Sequence, residues 1–208
     1  MKAYKVPEAT VLRLTSYARF LSDCEEKGIE TLSSLDIANA VGVTPAQVRK
    51  DLAYFGEFGT RGVGYNIKEL IKQIEIILGL DKAWNVIIVG AGNLGRALMA
   101  YKGFNKRGVE IVGAFDTDKG KLGDPIGNLK VEPIESIPDR VKESGCELAI
   151  IAVPANAAQE TANCLVEAGI KGIINFAPYP IVVPHNVTLQ SVDLASKLEV
   201  LTYYLRDK

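Results

Sequence analysis

The stretch Asn85-Val86-Ile87-Ile88-Val89-Gly90-Ala91-Gly92-Asn93-Leu94-Gly95 decides the fold. Its first five residues form an apolar, β-branched run, the composition of a strand buried on both faces. Three glycines at GxGxxG spacing follow, and a helix is predicted at once over Leu94–Tyr101. A second strand, Glu110–Phe115, runs into Asp116. That acid lies about twenty residues past the last glycine, where a dinucleotide-binding βαβ unit places its ribose-binding carboxylate. In such a unit Gly90 permits the tight turn, Gly92 lets a pyrophosphate approach the backbone, and Gly95 lets helix and strand pack closely. With Ala91, Asn93 and Leu94 they make the cofactor-binding turn, and the helix start offers N–H donors to phosphate. Asp116 accepts hydrogen bonds from the ribose hydroxyls of NAD and repels the extra phosphate of NADP. Lys119 and Lys121 run against that preference.

Downstream of this unit, strands are predicted at Glu147–Val153, Gly172–Phe176 and Val187–Ser191, and helices at Ile134–Ser144 and Asn156–Ala168. The alternation defines an α/β class with a Rossmann-like, doubly wound parallel sheet. Ligands bind at the C-terminal ends of such strands, so Val153, Pro154, Ala155, Phe176, Ala177 and Pro178 are expected to line the nicotinamide half of the site. Tyr101 and Phe104 are expected either to wall that pocket or to pack in the core.

Upstream, the pattern changes near residue 80, just after the apolar-striped helix Ile67–Leu78. A first helix is predicted from Pro7, with Val11, Leu14, Ala18 and Leu21 at helical spacing, and a short second helix spans Ser34–Ala40 before Gly42. Thr44-Pro45-Ala46-Gln47 then opens a third helix, with Thr44 and Gln47 as a capping box. Helix, glycine turn and capped helix make a helix-turn-helix. On the third helix, Pro45–Phe55, Val48 and Leu52 face inward, while Gln47, Lys50 and Tyr54 project together with Arg49 adjacent. Gln and Arg suit bidentate base contacts, and Lys and Tyr suit phosphates; a solvated charged face is the alternative. The run from Phe55 to Tyr65 carries four glycines and Arg61. Such glycine density marks a tight β-hairpin or a backbone that approaches something closely, and after this helix it reads as a wing that places Arg61 against a minor groove or phosphates.

Bulk charge lends this no support: the chain is net −1, and residues 1–80 hold ten Lys/Arg against ten Asp/Glu. Positive charge must therefore be presented locally. No apolar run reaches the length of about 18 residues that spans a bilayer, and MKAYKVPEAT has no apolar leader core, so a cytoplasmic protein without a membrane partner is expected. Cys24, Cys146 and Cys164 are far apart and form no CxxC pair, so three buried thiols and no metal site are expected.

An enzyme is not expected. Hydride transfer needs an acid or base beside the substrate carbonyl, and the single histidine, His185, falls in a loop. The closing segment Ser191–Arg206 reads instead as an amphipathic helix striped by Leu194, Leu198, Leu201 and Leu205, suited to docking on a partner subunit. An NAD-dependent oxidoreductase and a CoA-binding protein are the competing readings. The expected segments are a winged-helix domain over 1–80, a Rossmann domain over 81–190 and a dimerisation helix over 191–208.

Gln47-Val48-Arg49-Lys50-Asp51-Leu52-Ala53-Tyr54-Phe55-Gly56, Gly59-Thr60-Arg61-Gly62-Val63-Gly64-Tyr65 and the glycine turn closely resemble the Rex family of redox-sensing repressors, in order and over nearly the whole chain. The resemblance implies a homodimer with exchanged C-terminal helices and an inverted-repeat operator in double-stranded DNA. It also implies binding to DNA when NADH is scarce, release driven by NADH, and competition from NAD+. By motif it assigns the switch to Arg19 and Asp193, with Tyr101 beside the nicotinamide. Leu194 departs from the pattern, standing where some relatives carry an aromatic residue.

Overall fold

The computed structural model describes residues 6–206, so the outermost residues of the expected first and last segments, 1–5 and 207–208, lie outside the described residues. The chain divides into two compact units, Met1–Lys82 and Ala83–Lys208.

The first unit comprises α1 (Glu8–Glu26), β1 (Thr31–Leu32), α2 (Ser34–Val41), α3 (Pro45–Ala53), β2 (Tyr65–Asn66) and α4 (Ile67–Leu78). Pro7 stands one position outside α1, as its N-cap in extended conformation. α2 is closed at its start by Ser33 and Asp36, each capping the other, and at its end by Gly42 in the left-handed region. Thr44 caps α3 by accepting from the Gln47 amide at 3.1 Å. The expected return bond from Gln47 does not form, because its side-chain amide donates to Asp51 instead; the reciprocal box of this unit belongs to α2. Leu14, Tyr17 and Leu21 of α1 meet Ile37, Val48, Leu52, Ile67 and Ile74 in one buried cluster. Each such side chain contributes about 1.5–3 kcal/mol on leaving water.

The expected wing is present in minimal form. Between Phe55 and Gly64 it is a tight turn closed by a single antiparallel bridge, in which the Thr60 and Gly64 amides each donate to the other's carbonyl. The strand that follows, β2, pairs antiparallel with β1 rather than with the glycine run. Gly59 and Gly64 are needed by the loop itself, since a Cβ on either would stand 2.6 or 2.5 Å from backbone oxygen.

The second unit contains β3 (Trp84–Val89), α5 (Asn93–Met99), β4 (Val109–Asp116), β5 (Pro125–Ile126), β6 (Leu129–Pro133), α6 (Ile137–Ser144), β7 (Leu148–Ile151), α7 (Ala158–Glu167), β8 (Gly172–Asn175), β9 (Thr188–Ser191) and α8 (Leu194–Leu205). The sheet order is β5-β6-β4-β3-β7-β8-β9, parallel except for the β5–β6 pair. Chain order runs outward from β3 to β4 and β6 on one side, then from β7 to β8 and β9 on the other. The reversal between β3 and β7 is where such sheets open a crevice. α6 and α7 cover one face through Ile137, Val141, Ala158, Ala162 and Leu165. Leu98 and Met99 of α5, with Phe104, pack on Val86, Ile88 and Ile150 of the other.

Two helices expected in this unit start late, each preceded by a single 3-10 turn, Ile134–Ser136 and Ala155–Ala157. β5 and β6 were not expected. The closing helix begins at Leu194 rather than Ser191, because Thr188–Ser191 pairs with β8 and Asp193 caps the helix through the Ala195 and Ser196 amides. Cys24 and Cys146 are buried as expected, whereas Cys164 is only half-buried; all three are free thiols. Among the described residues no helix is long and apolar enough to cross a membrane.

Candidate functional site

The end of β3 forms the floor of the site in the second unit. Gly90 takes φ +104°, and a Cβ there would lie 2.3 Å from the Ala152 carbonyl at the end of β7. Gly95 is tighter still, its Cβ position 1.8 Å from the Gly90 oxygen. Gly92 differs from both, because a Cβ there meets nothing within 4 Å. Two glycines therefore exist to bring strand, turn and helix together, and the third faces open space on the ligand side.

A crevice of about 490 Å³ opens there, lined by Gly90, Gly92, Asn93, Leu94, Val153, Pro154, Phe176 and Pro178 among the expected residues. Asp116 lines it too, 8% exposed. Its Oδ2 accepts from the Ala91 amide at 2.8 Å and from Lys121 Nζ at 3.0 Å, and its Oδ1 accepts from the Asp118 amide at 2.9 Å. Burial pushes this carboxyl upward, but the Asp118 amide, Lys121 and the Ala91 amide together outweigh it and hold the group below the ordinary carboxylate range. Asp116 is thus an anion at neutral pH.

The structure does not bring every expected residue to the crevice. Ala91 is buried with its amide committed to Asp116, Gly95 and Ala177 are buried behind the walls, and Ala155 is half-buried outside the lining. Tyr101 is 58% exposed and meets Phe104 edge to face at a centroid distance of 5.2 Å. Neither ring lines the crevice, and Phe104 packs on the face of the sheet that α5 covers, which is the core alternative. Tyr101, Phe104 and Ala155 therefore do not come together at the crevice within one chain. His185 is an exposed loop residue.

Sequence reasoning missed the supports. Arg96 donates to the Ala91 carbonyl at 3.0 Å and to Asp124 at 2.5 Å, tying α5 to the glycine turn. Asn175, 1% exposed, donates to the Tyr179 carbonyl and accepts from the Ala177 amide, which shapes the loop presenting Phe176 and Pro178. Thr117, Asp118, Lys121 and Thr161 also line the crevice. The charge of Lys121 beside Asp116 stands out in the sequence itself, and the D-x-D-x-G-K run from Asp116 to Lys121 was the available signal for Asp118.

In the first unit Arg49, Lys50, Tyr54 and Arg61 are exposed, whereas Gln47 is half-buried. Arg49 donates to Ser34 Oγ at 2.8 Å, linking α3 to the start of α2, and with Arg61 it lines a shallow pocket under the glycine loop. Behind this face lies Asp51, 0% exposed. Its Oδ1 accepts from Thr10 at 3.0 Å, Arg13 Nη2 at 2.7 Å and Gln47 at 2.8 Å; its Oδ2 accepts from Arg13 Nε at 2.6 Å and Tyr17 at 2.8 Å. Burial pushes Asp51 upward, but the bonds from Arg13, Tyr17, Gln47 and Thr10 bring it down to about 2. The Gln47 amide expected to read bases is thereby turned inward. Arg19 is exposed on α1, and Asp193, exposed in the second unit, caps α8.

A helix-turn-helix unit with a glycine loop, joined to a doubly wound sheet with a dinucleotide-type crevice, has the make-up of a ligand-responsive DNA-binding regulator. Known proteins agree. Residues 5–53 match the family described as putative DNA-binding protein N-terminus, and residues 81–179 match the family described as CoA binding domain. The redox-sensing transcriptional repressor Rex of Carboxydothermus hydrogenoformans is 57% identical over 99% of this chain and 99% of its own. That of Desulforamulus reducens is 55% identical over 99% and 98%. A Rex-family repressor, RSP, solved with NAD+ and operator DNA, superposes with a TM-score of 0.94 at 39% identity over 98% of this chain and 94% of its own. RSP with NADH matches at 0.87 and 38%, over 97% and 95%. The chain belongs to the Rex family of redox-sensing transcriptional repressors.

Proposed function

We propose that this chain binds inverted-repeat operator DNA as a homodimer when NADH is scarce and releases it when NADH occupies the crevice, with NAD+ as a weak competitor. The single observation that carries the reading is the match, over 98% of the chain, to a repressor solved with both NAD+ and operator DNA. Arg49, Lys50, Tyr54 and Arg61 supply the DNA-facing groups, and Gln47 contributes from its position beside Asp51. The crevice residues Gly90, Gly92, Asn93 and Leu94, with Asp116, Val153, Pro154, Phe176 and Pro178, hold the dinucleotide, and Ala91 fixes Asp116 from behind. Gly95, Ala155 and Ala177 support its walls, and Tyr101 sits beside the nicotinamide.

The exposed leucines of α8, with Leu198 at 64%, support burial against a second copy, as does the exposed position of Asp193. Arg19 and Asp193 form the switch in that assembly. Absence of a membrane-crossing helix among the described residues accords with action on DNA in the cytoplasm. The switch is a population shift: NADH must bind the DNA-incompetent form more tightly, and DNA must weaken NADH binding by the same factor. A hundredfold coupling requires about 2.7 kcal/mol of differential contact.

Two titrations test the reading. NADH and CoA are compared on the same protein, because the CoA binding domain match leaves CoA as the specific competitor. Saturable NADH binding with no CoA binding is expected, and the reverse would contradict the site. Arg61→Ala is then expected to lose operator binding while keeping NADH affinity; retained operator binding would remove Arg61 from the interface.

A further inference from the structure

Asp116 is already heavily engaged before any ligand arrives. A carboxylate offers about four acceptor positions, and three are filled by the Ala91 amide, the Asp118 amide and Lys121. A ribose diol donating both hydroxyls needs two more, so Lys121 is the partner that must move. The two amides are fixed by the backbone, whereas Lys121 is a flexible side chain, one-third exposed. It also stands 3.6 Å from Asp118 Oδ2, which tethers the ammonium at the rim when Asp116 lets go.

We propose that Lys121 is a latent ligand for a 2′-phosphate, held in check by Asp116, so that the ion pair and not the carboxylate alone sets the preference between NADH and NADPH. The inference rests on the dinucleotide reading given above. The local charge explains it. Asp116, Asp118 and Lys121 sum to −1, which opposes a phosphate at the ribose. Loss of Asp116 leaves Asp118 and Lys121 in balance, with an ammonium within reach of the position the extra phosphate would take. A compact, flexible cation suits a phosphate as a point charge.

The test measures dissociation constants of NADH and NADPH for the wild type, Lys121→Ala, Asp116→Ser and the double variant, with thermal unfolding run on each. The wild type is expected to favour NADH. Lys121→Ala is expected to raise the NADPH-to-NADH ratio of dissociation constants about threefold, because the cation paired with Asp116 is gone while Lys119 is left in place. Asp116→Ser is expected to lower that ratio about tenfold or more, and Lys121→Ala in the same background to reverse most of the change. Equal ratios for the single Asp116→Ser and the double variant would overturn the proposal, as would an Asp116→Ser ratio no lower than the wild-type one. Should Asp116→Ser not fold, Lys121→Ala alone decides: a raised ratio supports the role of Lys121 and an unchanged ratio overturns it. A wild type that binds NADH yet gives either overturning result sinks only the role of Lys121. A wild type that binds neither dinucleotide sinks the dinucleotide reading, and the inference with it.

Discussion

Each unit of this protein buries one aspartate in a web of donors, and the two webs do different work. Asp51 in the first unit takes five hydrogen bonds from four side chains spread over α1 and α3. Asp116 in the second takes two from backbone amides and one from a flexible lysine. Both carboxyls are held below their ordinary range, so acidity does not distinguish them. The identity of the donors does. A carboxylate closed off by side chains from two helices is a clasp, whereas one whose most mobile donor sits at the rim of a crevice is a socket.

The largest effect that tests this contrast is on stability. Asp51→Ala is expected to cost about 3–5 kcal/mol, because it strands the Arg13 guanidinium and the buried Tyr17 hydroxyl without their anion. Urea unfolding of the purified protein measures it, and operator binding should fall in parallel as α3 loses its anchor to α1. A loss under about 1 kcal/mol would mean that Asp51 is no clasp.

Acid sensitivity comes next. Asp51 sits at about 2 in the folded chain against an ordinary 3.8. A carboxyl lowered on folding stabilises above its unfolded value, and that contribution fades as pH falls through the folded one. Roughly 2 kcal/mol should therefore disappear between pH 4 and pH 2 in the wild type. The same span should be flatter in Asp51→Asn. Equal slopes would remove Asp51 from the acid response.

A third change bears on the socket. Gly92→Ala adds a Cβ where nothing lies within 4 Å, so the fold should be intact. NADH affinity should nonetheless fall by about tenfold, or 1.4 kcal/mol, because the added methyl occupies the approach of the pyrophosphate. Unchanged affinity would place the phosphates elsewhere. An effect of similar size is expected of Asp116→Ala on stability, about 1–2 kcal/mol, since the main internal loss is the partner of the buried Ala91 amide. A cost equal to that of Asp51→Ala would erase the distinction between clasp and socket.

The legibility of the two regions differed for related reasons. The strand, glycine turn and terminal acid of the second unit follow from rules that act within a few residues, so Gly90, Gly95 and Asp116 were readable from spacing. Helix-turn-helix spacing around Gly42 and Pro45 was readable in the same way. Asp51 was not, because its partners Thr10, Arg13 and Tyr17 come from α1, about forty residues away in sequence, and only the Gln47–Asp51 pair lies one helical turn apart. Gln47 was accordingly read as facing outward when its amide is turned in. Glycine density in the loop marks close backbone approach without saying how far a ladder extends; Thr60 and Gly64 close a tight turn, and β2 pairs with β1. β5 and β6 were missed because the two-residue strand Pro125–Ile126 carries no periodicity of its own. Tyr101 and Phe104 follow the glycine turn in sequence, yet Phe104 packs beneath α5 on the face of the sheet and not at the strand ends where the crevice opens.

One measurement tests the central claim most directly: fluorescence anisotropy of a labelled inverted-repeat duplex bound to this protein, titrated in parallel with NADH and NAD+. The account predicts binding without ligand and release by NADH at concentrations where NAD+ leaves the complex intact. A complex equally indifferent to both dinucleotides, or equally dissolved by both, would contradict it.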